Sequence, residues 1–189
     1  GNKTKGGFYK KVKGEGGKKE ILSLDWKTLE YRPKQKAKFA SLEMANQQSG
    51  TKAKLKSIYN AEDQGGQYVF KLLSEILIYS ANRIPEISDD IVNIDDAMKW
   101  GYNWKLGPFE TWDALGLAKS AAKMKEAGYA LPSWIEDMLA AGVASFYKME
   151  NGVQYYYDVA SKDYKEVEIS PQIILLPSLK DRNKLVAGN

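Results

Sequence analysis

The 189-residue chain has no cysteine and no histidine. Without cysteine there is no disulfide, no thiolate nucleophile and no Cys-ligated zinc. The missing histidine excludes more: a His general base, a His-held metal and every Ser-His-Asp triad. Catalysis by this chain alone would have to rest on carboxylates, lysine or tyrosine. Long apolar runs are absent too. Gln172–Leu176 falls far short of the ~20 residues that cross a bilayer, so no membrane partner is expected. No signal-peptide pattern opens the chain, and Gly1-Asn2 reads as an arbitrary start. The lack of cysteine fits the cytoplasmic location expected here.

What remains is a globular composition, 43% hydrophobic and 12% aromatic, and enough length for one domain or one and a half. The net charge of +4 hides an asymmetry. Residues 1–60 carry 15 basic against 5 acidic side chains, and residues 61–189 carry 13 against 19. A basic half of this kind reads as a solvated linker, a seat for a phosphate-bearing ligand, or a nucleic-acid surface. Nucleic acid ranks last, because the lysines come with no aromatic stacking platform or recognition motif.

The chain is organised around Met98–Gly116, M-K-W-G-Y-N-W-K-L-G-P-F-E-T-W-D-A-L-G, with three Trp, one Phe and three Gly in nineteen residues. Gly107-Pro108-Phe109-Glu110 reads as a turn into a helix, with Pro108 at its first position, and Gly116 ends it. Trp104, Phe109 and Trp112 are expected in a helical core; a ligand groove is the other reading.

Further helices are expected on both sides. Pro33–Gln48 is a lysine-rich helix or linker, and Thr51 caps a helix to Tyr59. Gly65-Gly66 marks a break or a close approach. Gln67–Arg83 is apolar over too wide an arc for a surface helix, so it is placed centrally; Pro85 ends it. Asn93 caps a helix closed by Gly101, with Asp95 and Asp96 in its first turn. Ala118–Ala127 stops at Gly128. Pro132 opens a last helix with Trp134, Met138 and Leu139 in the core, stopped by Gly142. Two β-hairpins flank this set. One pairs Ile21–Asp25 with Leu29–Arg32, and the other pairs Gln154–Tyr157 with Lys165–Ile169. Phe146-Tyr147-Lys148 mirrors Phe8-Tyr9-Lys10, and Asp158 followed by Tyr164 mirrors Asp25 followed by Tyr31. An internal duplication is the simplest account, with chance likeness as its alternative.

The stretch G-Y-N-W-K-L-G-P-F-E-T-W-D-A-L-G, preceded by Ile94-Asp95-Asp96-Ala97-Met98, resembles the C-terminal domain of 3-hydroxyacyl-CoA dehydrogenases. The matching positions are Gly101, Gly107, Pro108, Phe109, Glu110, Asp113 and Gly116. Asn103 stands where the family's G-x-G has its second glycine. The resemblance covers roughly Thr51–Ile169, and Gly6-Gly7-Phe8-Tyr9 looks like the end of a preceding repeat. It implies a mainly α fold: a compact bundle of short helices with two peripheral β-hairpins. The implied division is the end of a first repeat with a basic linker at 1–50, a second repeat at 51–169, and at 170–189 a linker towards a further domain, an enoyl-CoA hydratase in the bifunctional members.

The implied parent oxidises a 3-hydroxyacyl-CoA, a coenzyme A thioester, with NAD. The family's His–Glu dyad lies on a nucleotide-binding domain. This chain has neither a histidine nor a Gly-rich strand-turn-helix fingerprint, since Gly14-Glu15-Gly16-Gly17 has the wrong spacing. The expectation is therefore a scaffold with no catalytic, cofactor-binding or metal residue of its own. It would pair with the parent's first repeat and nucleotide domain, or with itself. An acyl-CoA or CoA-binding module is the alternative, with a nucleic-acid binder third. Asn82-Arg83 superficially resembles a substrate-contacting pair but sits at the wrong end of its helix. Asp89, Asp90, Asp95 and Asp96 lack calcium-loop spacing and read as helix-start carboxylates. Glu110 and Asp113 read as cap contacts rather than an acid–base pair.

Overall fold

The computed structural model describes residues 6–168. Ile169 and the expected linker at 170–189 lie outside them. The chain divides into two compact units, one ending at Lys38 and the other beginning at Phe39.

The first unit is an antiparallel meander of β1 (Tyr9–Lys13), β2 (Lys19–Leu24) and β3 (Tyr31–Pro33), in that order. The expected hairpin thus gains a third strand, which pairs Tyr9 with Ser23. Asp25 builds the β2–β3 turn by accepting the amides of Lys27 at 2.9 Å and Thr28 at 3.4 Å. Leu29 turns left-handed at φ 60°. The Lys27 amide, then the Arg32 guanidinium at 3.0 Å and the Thr28 amide, hold the Asp25 carboxyl below its ordinary range.

The second unit holds seven helices and a second meander among the described residues. The helices are α1 (Ala40–Gln47), α2 (Thr51–Tyr59), α3 (Gln64–Ala81), α4 (Ile91–Tyr102), α5 (Pro108–Leu115), α6 (Leu117–Glu126) and α7 (Ser133–Ala140). The strands are β4 (Tyr147–Glu150), β5 (Val153–Asp158) and β6 (Asp163–Glu166). The mainly α architecture with peripheral antiparallel strands is as expected, although each hairpin is a three-stranded sheet. Helix α1 belongs with the bundle and not with the segment before it. Asp63 caps α3 through the Gly66 amide at 2.9 Å, and its other oxygen accepts the Ser41 amide at 3.0 Å. One carboxylate thereby ties two helix N-termini together.

The core centres on α5. Phe109, Trp112 and Leu115 are buried with Leu77, Ile91, Met124, Ile135, Met138 and Phe146. The Phe146 ring meets Phe109 edge-on at 5.0 Å and lies 5.5 Å from Trp112. The Trp112 indole donates to the Ser120 hydroxyl at 2.9 Å, and Trp134 donates to the Ala81 carbonyl at 3.0 Å. Both polar edges are therefore satisfied inside the core.

Two expectations give way to the packing. Helix α3 is not covered all round. Ser74, Leu77 and Ala81 are buried, while Tyr68, Leu72 and Tyr79 on its other side stay exposed, because the bundle packs it from one side only. Helix α4 runs through Gly101 and ends at Asn103, which is left-handed at φ 56°. Asparagine is the residue after glycine that tolerates this conformation best, which is how it serves at this position. Its N-cap is Asp90, not Asn93: the Asp90 carboxylate accepts the Asn93 amide at 2.8 Å. The glycine stop at Gly116, φ 92°, stands as expected.

Gly66 packs against the loop before α3, where an added Cβ would lie 2.1 Å from the Ala61 carbonyl oxygen. Helix propensity alone would make Gly66→Ala stabilising by about 1 kcal/mol. Overpacking against a backbone atom is expected to reverse the sign and cost a net ~1–3 kcal/mol. Urea unfolding of the variant measures this, and a gain in stability would contradict the close approach.

Candidate functional site

The motif residues converge on the N-terminus of α5. Its N-cap is Gly107, which has no side chain to offer the orphan amides of the first turn. Asp95, on α4 and 14 residues before Phe109, supplies the oxygens instead. Its carboxylate accepts the Phe109 amide at 2.8 Å and the Glu110 amide at 3.0 Å. Gly107 is required here by space and not by φ, which is an ordinary −72°. A Cβ at position 107 would lie 2.3 Å from the Asp95 carboxyl carbon. Glu110 closes the other half of the cap by accepting the Gly107 amide at 2.8 Å. Its second oxygen takes Lys99 at 3.0 Å, and Lys99 also holds Asp96 at 2.9 Å. Pro108 at the first helical position has no N–H to satisfy.

The same helix reaches the second meander. Asp113 accepts the amides of Phe146 at 2.8 Å and Tyr147 at 2.9 Å, and the Tyr147 hydroxyl returns to Asp95 at 2.9 Å. Thus α4, α5 and β4 meet through two aspartates. Burial, the largest influence, pushes the Asp95 carboxyl up to about 7, although the Phe109 amide and the Tyr147 hydroxyl pull the other way. Burial likewise raises Asp113 to about 6 against the Phe146 and Tyr147 amides. Desolvation, then the Asp95 charge, raises the Tyr147 phenol. For Lys99, burial disfavours the ammonium, but Asp96 and Glu110 outweigh it and keep it above its ordinary value.

Geometrically, Asp95 and Tyr147 look like a proton-transfer pair, yet Asp95 is fully buried and each of its oxygens accepts protein donors. These bonds tie α5 and β4 to α4. Of the motif residues expected from the sequence, Gly107, Pro108, Phe109, Glu110, Asp113 and Gly116 gather in or beside α5. Gly101 stands apart, exposed within α4. Asp95 was assigned to the first turn of its own helix and instead caps the next one. Lys99 and Tyr147 join this cluster without a motif that marks them; the paired Phe-Tyr segments are the one signal in the sequence for Tyr147. Asp89, Asp90, Asp95 and Asp96 do not converge, and no group of three metal-ligating side chains occurs among the described residues.

Two clefts of about 600 Å³ adjoin this framework. One is lined by polar groups including Lys52, Glu110, Asp113 and Lys148. The other is an apolar groove between α3 and α4, lined by Leu72, Ile76, Tyr79, Ile87, Met98 and Trp104, with Glu75 and Arg83 also along it. Trp104 therefore faces a groove, whereas Phe109 and Trp112 are core.

Comparison with known proteins follows the motif. Over all 189 residues the chain is 44% identical to a probable 3-hydroxyacyl-CoA dehydrogenase of Bacillus subtilis. The chain is thus similar along its whole length to one part of a 3-hydroxyacyl-CoA dehydrogenase. It spans 23% of the length of that relative. Putative fatty acid oxidation complex trifunctional enzymes of Rickettsia felis and Rickettsia prowazekii are 32% and 33% identical over 111 residues, 58% of this chain and 14% of theirs. No family model and no solved structure matches the chain. The NAD implied by the family has no fitting seat among the described residues. Both sheets are antiparallel meanders, and no strand leads through a Gly-rich turn into a helix as a dinucleotide site requires.

The raised carboxyls set a pH dependence. Folded Asp95 and Asp113 keep protons that the unfolded chain has released above about pH 4, so their contribution to stability declines as pH rises towards 6 to 7. Urea unfolding between pH 4 and 8 is expected to show this fall, and Asp95→Asn to flatten the part near pH 7. A slope unchanged in Asp95→Asn would remove Asp95 as its source.

Proposed function

We propose that this chain is the non-catalytic helical pairing portion of a 3-hydroxyacyl-CoA dehydrogenase. The parent would oxidise the 3-hydroxyl of a coenzyme A thioester to the ketone and pass the hydride to NAD, as part of cytoplasmic fatty-acid oxidation. The proton-accepting dyad would lie on the nucleotide-binding domain, since this chain has no histidine. The observation that carries the reading is the apolar groove between α3 and α4. Tyr79 and Ile87 beside it are 62% and 71% exposed in a bundle whose buried carboxylates already serve backbone amides. An apolar face of this kind, edged by a few charges, suits association with another helical domain. The parent's first repeat is the proposed occupant, and the pairing would hold that repeat against the nucleotide domain and so set the shape of the catalytic cleft.

Sedimentation velocity on the chain, alone and with the preceding dehydrogenase segment added, tests this. A complex is expected, weakened at least tenfold by Ile87→Asp. A chain that stays monomeric with the segment present would overturn the pairing, and turnover of 3-hydroxyacyl-CoA by the chain alone would overturn the non-catalytic assignment. Salt-sensitive CoA binding in calorimetry would favour an acyl-CoA module instead.

A further inference from the structure

The two meanders share a set of matching bonds. The Leu24 amide donates to the Phe8 carbonyl at 2.9 Å, and the Tyr157 amide donates to the Phe146 carbonyl at 2.7 Å. Tyr31 donates its hydroxyl to the Gly7 carbonyl, as Tyr164 does to Ser145. Arg32 pairs with Asp25 at 3.0 Å, and Lys165 with Asp158 at 2.8 Å. The turn amides of Thr28 and Ser161 go to those same aspartates. Leu29 and Lys162 both turn left-handed, at φ 60° and 54°. From Leu24 against Tyr157 onward the correspondence holds without insertion.

Their leading aromatics stand in different surroundings. Phe146 is fully buried, its ring enclosed by Phe109, Trp112 and Trp134. Its own amide and that of Tyr147 are taken by Asp113, and the Tyr147 hydroxyl by Asp95. Their counterparts Phe8 and Tyr9 are 78% and 63% exposed. Two adjacent aromatics at the start of a strand whose copy is built to insert them mark a docking edge. The flanking Lys10, Lys11 and Lys13 add a positive field that suits an acidic partner.

We propose that the Phe8-Tyr9 edge of the first meander docks on a second helical bundle of the same kind as α4–α7, belonging to the parent protein. The bundle's aromatic pocket receives the Phe8 ring. An aspartate in the place of Asp113 accepts the Phe8 and Tyr9 amides, and a helix-capping aspartate in the place of Asp95 accepts the Tyr9 hydroxyl. This rests on the chain being part of a larger dehydrogenase but not on the α3–α4 groove.

The test follows amide hydrogen exchange in the full chain, with and without a saturating amount of the preceding dehydrogenase segment. Protection of the Phe8 and Tyr9 amides is expected to rise at least tenfold in the complex. Phe8→Ala, at an exposed position that folding does not need, is expected to weaken the complex at least tenfold. Replacing the segment's own G-P-F-E-x-x-D aspartate by asparagine should remove the amide protection. Ile87→Asp serves as the control: it weakens association through the groove while leaving Phe8 and Tyr9 protected in whatever complex forms. Loss of the groove effect alone would sink the pairing face and not this edge. Unprotected Phe8 and Tyr9 amides at saturation, or unchanged affinity in Phe8→Ala, would overturn the proposal. So would protection that grows with chain concentration in the absence of the segment, since that places a second copy on the edge.

Discussion

A single buried carboxylate holds the bundle at its centre. Asp95 projects from α4 into the N-terminus of α5, accepts two of its orphan amides, and takes the Tyr147 hydroxyl from β4. Losing any one of these donors would leave a buried acceptor short of a partner, at about 1–3 kcal/mol. Gly107 exists in its present form to admit that carboxylate. Glu110 and Lys99 complete the ring of contacts at the half-exposed edge.

Asp63 and Asp113 repeat the strategy. Asp63 joins the starts of α1 and α3, and Asp113 joins α5 to the first residues of the second meander. Most of these helices have eight to twelve residues, too few to be stable alone. Each aspartate fixes a terminus of one short helix against another element, so that fraying of one end costs contacts in two places. With these carboxylates committed to amides, what the bundle leaves uncovered is an apolar side along α3 and α4.

The two meanders resemble one another in sequence and in their turn bonds. The first meander shares with the second the turn aspartate, its basic partner and the tyrosine hydroxyl bond, yet leaves its two leading aromatics exposed. The conserved internal bonds show that a meander of this sequence holds its own shape. The Phe146 ring of the second meander is enclosed by Phe109, Trp112 and Trp134, whereas Phe8 of the first is exposed. The cation–π contacts of Lys10 with Tyr31 and Lys34 with Tyr9 give some of the basic residues a local role on the sheet.

Much of this was legible in the chain. Pro108 and Gly116 bracket α5 through backbone restrictions that belong to the residues themselves, and the Phe-Tyr segments point to the likeness of the two meanders. The apolar content of α3 was equally plain, but not which side would be covered. The third strand of each meander was missed because a short, charged strand such as Tyr9–Lys13 shows no alternation; pairing makes it a strand. Asp95 was read as the start of its own helix because sequence proximity is the one cue available there. The sequence by itself determined the local elements, the lack of His and Cys chemistry, and the family motif, since these depend on single residues and their near neighbours. Only the tertiary structure decided that Asp95 caps α5, that Asp113 grips β4 and that Phe8 and Phe146 differ, because a buried carboxylate takes its donors from whichever segment packing brings within 3 Å.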